Sequence, residues 1–522
     1  MKFDEFKEWV CTKYNVIGII NIDDICSSSY RTLYDNISKI RKSEFSDNDR
    51  IVLFSNTQIH LELLTHIQIC TSELDISNFF ILLCAPIIKL EDLETVRVKY
   101  SNEDICFAFE IVEIEVDSKI TTQNPLVPLP KNFCFNPWTT IEISSTGEFR
   151  PCCVYKGLAT KEDGSLYNIN NDSIDDVYHS KYMNDLREQF RKAEYPEGCS
   201  VCWNVEQYQL ESQRYWAQSK LGMNRHFLNL EKNDITNLLS LDLKLGNTCN
   251  LRCRICDYKA SSRIATETIN ELKASNMDFE YILTTIKQGL WGHNLAIWDN
   301  IKEYSSKILN LDFYGGEPFL IDRQEYLIDF LIETGASKNI KLHYNTNGSV
   351  WPHNLITRWE HFKLVEIAFS IDNIQDRFEL ERDGALWETV EYNINKFIEN
   401  KSANMSLAMF PTFNIQNIYY LPELLEWYET KSFDSIHFNV VTTPAYMNIQ
   451  YMGEELSNKV ISKLTPHRYK YEVNNLIAMM ENCKGNKLNE FISYMKKLDN
   501  KRNLKFPNTH KIFAEMINFG ES

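Results

Sequence analysis

The sequence predicts an α/β protein built on a partial (β/α)6 barrel, with a cysteine-bearing module and a small α/β domain in front of it. Three observations carry this prediction. Six apolar, β-branched-rich runs of strand length recur between Leu238 and Pro444: "LLSLDLKLG", "ILNLDFYGG", "NIKLHYNTNG", "KLVEIAFSID", "MSLAMFPTFN" and "SIHFNVVTTP". Most are separated by amphipathic stretches of helical length, the pattern of a parallel sheet with crossover helices. Each run ends in or beside Gly, Asn, Asp, Ser or Thr, and barrel folds keep their functional groups at the carboxyl ends of their strands. Six units are too few for a closed eight-stranded barrel, hence the partial form.

Taken in order, residues 1–118 alternate strand-like and helix-like stretches, "DRIVLFSNT", "QIHLELLTHIQI", "NFFILLCAP" and "LEDLETVRVKY", as a small α/β domain does. Its expected role is docking or dimerisation, or recognition of a substrate or leader peptide. "TTQNPLVPLPKN", Thr121 to Asn132, is Pro-rich and polar and suits an extended connection. The module is placed at 119–235 and the barrel at 236–450. From Tyr451 to the end the spacing is helical, and the basic run in "NEFISYMKKLDNKRNLKF" is read as a solvated helix face.

Composition narrows the function. The charge balance is 55 − 72 = −17, so the surface repels phosphate backbones and anionic membranes, and nucleic acid is a poor partner. No stretch approaches the roughly 20 apolar residues of a membrane helix, and "MKFDEFKEWV" lacks a signal-peptide pattern. A cytoplasmic location is expected, where stable disulfides are rare. The 14 cysteines are then buried thiols, reactive thiols or metal ligands. Cys11, Cys26, Cys70, Cys84, Cys106 and Cys483 stand singly and read as small core hydrophobes. The other eight fall into two sets.

The first set, Cys249, Cys253 and Cys256 in "LGNTCNLRCRICDY", lies in the loop after the first barrel strand. Three thiolates do not finish a four-ligand structural zinc site. Two possibilities follow: zinc completed by a distant residue, or an iron–sulfur cluster with one iron left open. "CNLRCRIC" resembles the CxxxCxxC signature of the radical S-adenosylmethionine (radical SAM) superfamily, and further matches follow in order. "YGGEP", with Gly315, Gly316, Glu317 and Pro318, resembles the segment that holds the methionine amino group. "NTNG" from Asn345, "SID" from Ser370 to Asp372, and "ERDGALWETV" with Arg382 resemble later segments, the arginine one that often binds the methionine carboxylate. The residues suit these roles: glycines allow close backbone approach, Glu317 accepts from an ammonium, and Arg382 offers a planar fork. Ile255 and Asn439 to Thr442 are expected to border the adenine.

The second set is spread over "CFNPWTTIEISSTGEFRPCC" and "YPEGCSVCWNVE". It resembles the SPASM/twitch auxiliary-cluster module, in which a Cys, a GxxxxC hairpin and a CxxC supply four thiolates, here Cys134, Cys152, Cys199 and Cys202. Zinc bound by four cysteines is the alternative. Cys153 is expected to point away from the cluster. No later cysteines for a second auxiliary cluster follow Cys202, which fits the shorter twitch form, and the module precedes the barrel rather than following it.

The resemblance implies two [4Fe-4S] clusters, S-adenosylmethionine, a reducing partner such as flavodoxin or ferredoxin, and hydrogen abstraction by a 5′-deoxyadenosyl radical. It implies a peptide substrate, modified by epimerisation or cross-linking, or alternatively a sugar or aminocyclitol in a dehydrogenase or epimerase. Cys153 and Cys483 are the candidate hydrogen-returning thiols. A scaffold that binds S-adenosylmethionine or zinc without catalysis is the non-enzyme alternative.

Overall fold

A computed structural model of the chain describes residues 16–21, 50–54, 80–84, 108–109, 130–208, 212–221, 233–468 and 470–520. Cys11, Cys26, Cys70, Cys106, the helix expected at 58–69 and most of the Pro-rich stretch lie outside the described residues. Two compact units are resolved, 1–133 with 216–227, and 134–215 with 228–522. In the first, β1 (Val16–Asn21), β2 (Arg50–Phe54), β3 (Phe80–Cys84) and β4 (Ala108–Phe109) form a parallel sheet in chain order.

The second unit is organised by an eight-stranded sheet. Its strands are β5 (Thr140–Ile143), β6 (Phe149–Arg150), β7 (Ser240–Lys244), β9 (Asn310–Tyr314), β10 (Lys341–Thr346), β11 (Leu364–Phe369), β13 (Met405–Met409) and β15 (Ser435–Ile436). Two short pairs lie outside it: β8 (Arg252–Cys253) with β12 (Arg382–Asp383), and β14 (Thr412–Phe413) with β16 (Asn439–Val440). The order β15-β13-β11-β10-β9-β7-β5-β6 places all six expected runs side by side in chain order, every pair parallel. One member was not foreseen. β5, from the cysteine module, pairs parallel with β7, so module and later strands share one sheet. The alternation of Thr140, Ile141, Glu142 and Ile143 was the available signal.

Period-two alternation gives the sheet two unlike faces. Leu241, Leu243, Leu311, Phe313, Leu342, Tyr344, Ile367, Phe369 and Leu407 are fully buried or nearly so. They pack into one core with residues of the helices that follow the strands, among them α4 (Gln324–Glu333), α5 (Ile356–Trp359), α6 (Trp387–Glu399) and α7 (Leu421–Glu429). These helices come after α1 (Lys181–Arg191), α2 (Ser200–Glu206) and α3 (Ser262–Ala274). The opposite face is polar: the registers align Glu142, Asp242, Asp312, His343, Glu366 and Ser406 in one row across six strands.

The C-terminal basic run is helical, and its Lys497 and Lys501 lie at the surface, as read, but its arginine does not. It forms α8 (Leu488–Arg502), which buries Phe491, Ile492, Met495 and Leu498, and the Arg502 side chain is 2% exposed. Among the described residues no helix is long and apolar enough to cross a membrane.

Candidate functional site: two cysteine sets

The loop that leaves β7 turns at Gly246, whose φ of +107° a side chain would strain. Cys249, Cys253 and Cys256 follow, and the loop is tied down from four directions. Cys249 N–H donates to Ser262 Oγ at 3.2 Å. Cys253 lies in β8, paired with Arg382 of β12. Asn347 Nδ2 donates to Asn250 Oδ1 at 3.1 Å, and Asn250 Nδ2 to Ser349 Oγ at 2.8 Å. The fourth tie is the segment after β9: Gly316 N–H donates to Gly246 O at 3.0 Å and Glu317 N–H to Thr248 O at 2.9 Å. A Cβ on Gly316 would stand 2.1 Å from Thr248 O. These glycines are therefore demanded by backbone docking onto the cysteine loop, where the sequence suggested approach to a ligand.

Burial pushes the Cys249 thiol up to about 12, with Cys253 and Glu317 adding to it and the Leu251 N–H and Arg382 opposing. Burial also raises Cys253 and Cys256, and Cys256 feels both other thiols. Three thiols whose ionisation opposes one another need a bound cationic centre to become thiolates together. The chemistry of this set fits an iron–sulfur cluster.

Glu317 is 1% exposed. Its Oε1 accepts from Thr346 Oγ1 at 2.9 Å and Phe319 N–H at 3.2 Å, its Oε2 from Asn347 N–H at 2.8 Å. Three of about four acceptor positions are thus filled. Burial still lifts its carboxyl to about 7, against these hydrogen bonds and the pull of Arg382. The residues that serve Glu317 are Thr346, which ends β10, and Asn347, which follows it; the sequence reading singled out neither. Asn345 is one position away along the strand, on the polar face, with a buried Oδ1 that has no hydrogen-bond partner. Pro318 is buried and opens a short 3-10 turn.

Asp372 and Arg382 are likewise brought together. Arg382 Nε donates to Asp372 Oδ2 at 2.9 Å, and Nη1 reaches Cys253 Sγ at 3.9 Å. Asp372 Oδ1 accepts from Thr412 N–H at 2.8 Å, in the β14 strand that pairs with β16 and so brings Asn439 and Val440 alongside. Ser370 directly follows β11, its N–H donating to Thr346 O at 2.9 Å, and Ile255 packs half-buried on the core. The loop also has a brace the sequence did not reveal. Arg254 is fully buried, donating to Leu380 O at 3.1 Å, Met495 Sδ at 3.1 Å and Asp499 Oδ1 at 2.5 Å, while Tyr494 donates to Arg254 O at 2.7 Å.

The second cysteine set assembles around the β5–β6 hairpin. Gly147 turns it at φ +90°, and Cys134, Cys152 and Cys202 are buried, with Cys199 partly so. Burial raises all four thiols. Cys202, Cys134 and Cys199 each add to the rise at Cys152, and Cys202 and Cys199 to that at Cys134. Arg214, bonded to Glu206 at 2.7 Å, supplies a nearby positive charge that lowers Cys134, Cys199 and Cys202. Among the described residues no three His, Cys, Asp or Glu side chains converge on a single-ion site. Residues 134–203, which contain all four cysteines, match the family model of the SPASM iron–sulfur cluster-binding domain.

The chain therefore carries a SPASM-type iron–sulfur module over these residues.

Other comparisons are looser. No curated protein matches the sequence. The chain overlays 44% of its length on 60% of anSMEcpe with bound AdoMet, at 15% identity and a TM-score of 0.30. It overlays 63% of its length on 70% of Streptococcus suis SuiB bound to precursor peptide SuiA, at 16% identity and a TM-score of 0.30. TYW1 with a lysine-pyruvate adduct bound overlays 52% of this chain and 90% of its own, at 12% identity and a TM-score of 0.25. The chain thus spans about 60% of the anSMEcpe length, and overlaps of this quality are likenesses only.

Cys153 stands apart from the SPASM four. Besides burial, the charges acting on its thiol are Asp242, Cys152, Lys244 and Glu142, which places it by the polar face where β7 ends. Strand β6 has already ended at Arg150, so its separation comes from the turn that follows rather than from strand alternation. Cys483 lies in the loop before α8, donating to Gly485 O at 3.3 Å, and is not brought to this site.

Proposed function

We propose that Cys249, Cys253 and Cys256 hold a [4Fe-4S] cluster with an open iron, and that Cys134, Cys152, Cys199 and Cys202 hold a second, auxiliary one. The six parallel strands from β7 to β15 form the partial (β/α)6 barrel, and the SPASM module joins its edge through β5. When bound, the first cluster and S-adenosylmethionine supply one-electron cleavage to a 5′-deoxyadenosyl radical that takes a hydrogen atom from the substrate. The chain's own part is positioning. Glu317 keeps one acceptor position for the methionine ammonium; Arg382, with Nε and Nη2 taken by Asp372, keeps Nη1 on the side of Cys253 for the methionine carboxylate, and Ser370, Asn345, Ile255 and 439–442 border the rest.

The observation that carries this reading is the joint docking of Glu317, from the segment after β9, and Arg382, from β12, onto the loop that bears three cysteines. It is tested on anaerobically reconstituted protein by iron and sulfide content, electron paramagnetic resonance and 5′-deoxyadenosine formed under dithionite. About eight irons are expected, falling to about four in the Cys249/Cys253/Cys256→Ala variant with loss of 5′-deoxyadenosine. Zinc in place of iron, or no 5′-deoxyadenosine in the parent protein, would return the chain to the scaffold class.

A peptide is the substrate this reading favours, supported by the additional parallel-sheet unit at 1–133 and by the polar face of the sheet. A second detail favours a redox-neutral outcome such as epimerisation, which must return a hydrogen atom to the substrate carbon. Of the two candidate thiols, Cys153 alone stands by that face. Cys153→Ala then abolishes product while 5′-deoxyadenosine still forms, and Cys483→Ala changes neither. Full turnover in both variants would favour an oxidative outcome.

A further inference from the structure

α3 and α8 enclose a groove of about 720 Å³ whose wall includes Arg252, one residue before Cys253. It is lined by four cations, Arg252, Arg263, Lys497 and Lys501, and two carboxylates, Glu267 and Glu271. The lining is therefore positive by 4 − 2 = 2, on a chain whose formal charge is −17. Each carboxylate already serves more than one cation. Glu267 meets Arg502 at 2.9 Å and Arg252 at 3.3 Å, and Glu271 meets Lys501 at 2.7 Å and Lys497 at 3.0 Å. The lysine pairs sit at the solvent edge, with the Lys497 side chain 65% exposed. Exposed pairs of this kind contribute little to folding, so these cations can turn to an incoming carboxylate at small cost.

We propose that this groove docks a small acidic one-electron carrier protein, the donor to the cluster at Cys249, Cys253 and Cys256; the inference rests on the radical SAM reading. One electron leaves the carrier and enters the cluster, and no bond is made or broken in the exchange. The negative field of the remaining surface turns an acidic partner away, so a local positive groove concentrates encounters where it lies. Position selects a redox partner over other polyanions. The groove wall is the cysteine loop itself: Arg263 Nη1 donates to Asn250 O at 2.9 Å, and Arg502 Nη1 to Arg252 O at 2.6 Å. A carrier seated here meets the backbone between Cys249 and Cys253.

The test uses the reconstituted full chain and flavodoxin, with affinity read by calorimetry at low and moderate salt. Lys497→Glu/Lys501→Glu is expected to weaken binding tenfold or more and flatten its salt dependence. The charge-matched Lys459→Glu/Lys484→Glu, placed elsewhere, changes affinity less than twofold. Lys497→Gln/Lys501→Gln serves if the reversal disturbs folding, with an expected loss of about half the effect on a logarithmic scale. 5′-Deoxyadenosine driven by flavodoxin and its reductase falls with affinity in the groove variants, while the dithionite-driven yield does not. Equal weakening by both charge-matched pairs, no flavodoxin binding, or preferential binding of a single-stranded RNA oligonucleotide overturns the proposal. Absence of 5′-deoxyadenosine with dithionite in the parent protein would instead sink the radical reading and leave the calorimetry to decide the groove.

Discussion

Asp372 holds the Arg382 guanidinium at two nitrogens, Nε at 2.9 Å and Nη2 at 2.6 Å, and so turns Nη1 toward the Cys253 sulfur at 3.9 Å. Both residues are at least nine-tenths buried. Removing one partner of such a pair strands a charge, so Asp372→Ala is expected to cost about 3–5 kcal/mol in urea unfolding. Arg382→Lys keeps the charge but not the fork. Its 5′-deoxyadenosine yield should fall tenfold or more with iron content retained; an unchanged yield would remove Arg382 from the cofactor site.

Glu317 predicts a pH dependence of the cofactor-free fold. Its carboxyl rises from 4.5 to about 7 on folding, so the folded state favours the protonated form. The stability this contributes is complete below about 4.5 and is lost as pH rises through about 7, by roughly 3 kcal/mol in all. Glu317→Gln should remove that slope in denaturation curves between pH 4.5 and 7, and should abolish S-adenosylmethionine binding. A parallel slope in parent and variant would assign the titration elsewhere.

Gly316 and Gly335 separate docking from backbone strain. A Cβ at Gly316 meets Thr248 O at 2.1 Å, whereas Gly335, at φ +76°, has nothing within 4 Å. Gly335→Ala should cost only about 1–2 kcal/mol for its left-handed backbone and leave the clusters intact. Gly316→Ala must push the Glu317 segment off the cysteine loop, and iron at the first cluster should be lost. Equal iron retention in both would contradict this docking.

Asp499→Ala addresses the brace beneath the loop. Asp499 accepts from Arg254 Nη2 at 2.5 Å and from Phe506 N–H at 2.6 Å. Its removal leaves the Arg254 charge buried without a counter-charge, an expected loss of about 3–5 kcal/mol. Iron measured after dilution should fall from about eight toward about four as the cysteine loop loosens, because the SPASM cysteines lie outside this contact.

Legibility followed sequence distance. The strand runs were readable because alternation and length are local properties, and all six appear in the sheet in chain order. β5 escaped because its pairing with β7 joins residues 100 positions apart, as Thr140 with Ser240. The loop after β10 was readable only as a block. Alternation places Asn345 on the opposite face from Thr346, and the hydrogen bonds from Thr346 and Asn347 to Glu317 need the fold to be known. Arg254 gave no signal, because an arginine between cysteines reads as exposed until Leu380 and Asp499 arrive to bury it. In α8 only Arg502 escaped, for a related reason: the lysines are at the surface as read, but the arginine is not.

The brace on Arg254 also sets an order of events in the making of the protein. Its acceptors lie 126, 241 and 245 residues further along the chain. A ribosome that has just released the three cysteines has yet to make the helix that clamps them. The loop reaches its final shape only once residue 499 has been made, so iron loading at this site follows the synthesis of α8. The SPASM cysteines, complete by residue 202 and free of that late contact, can be furnished first.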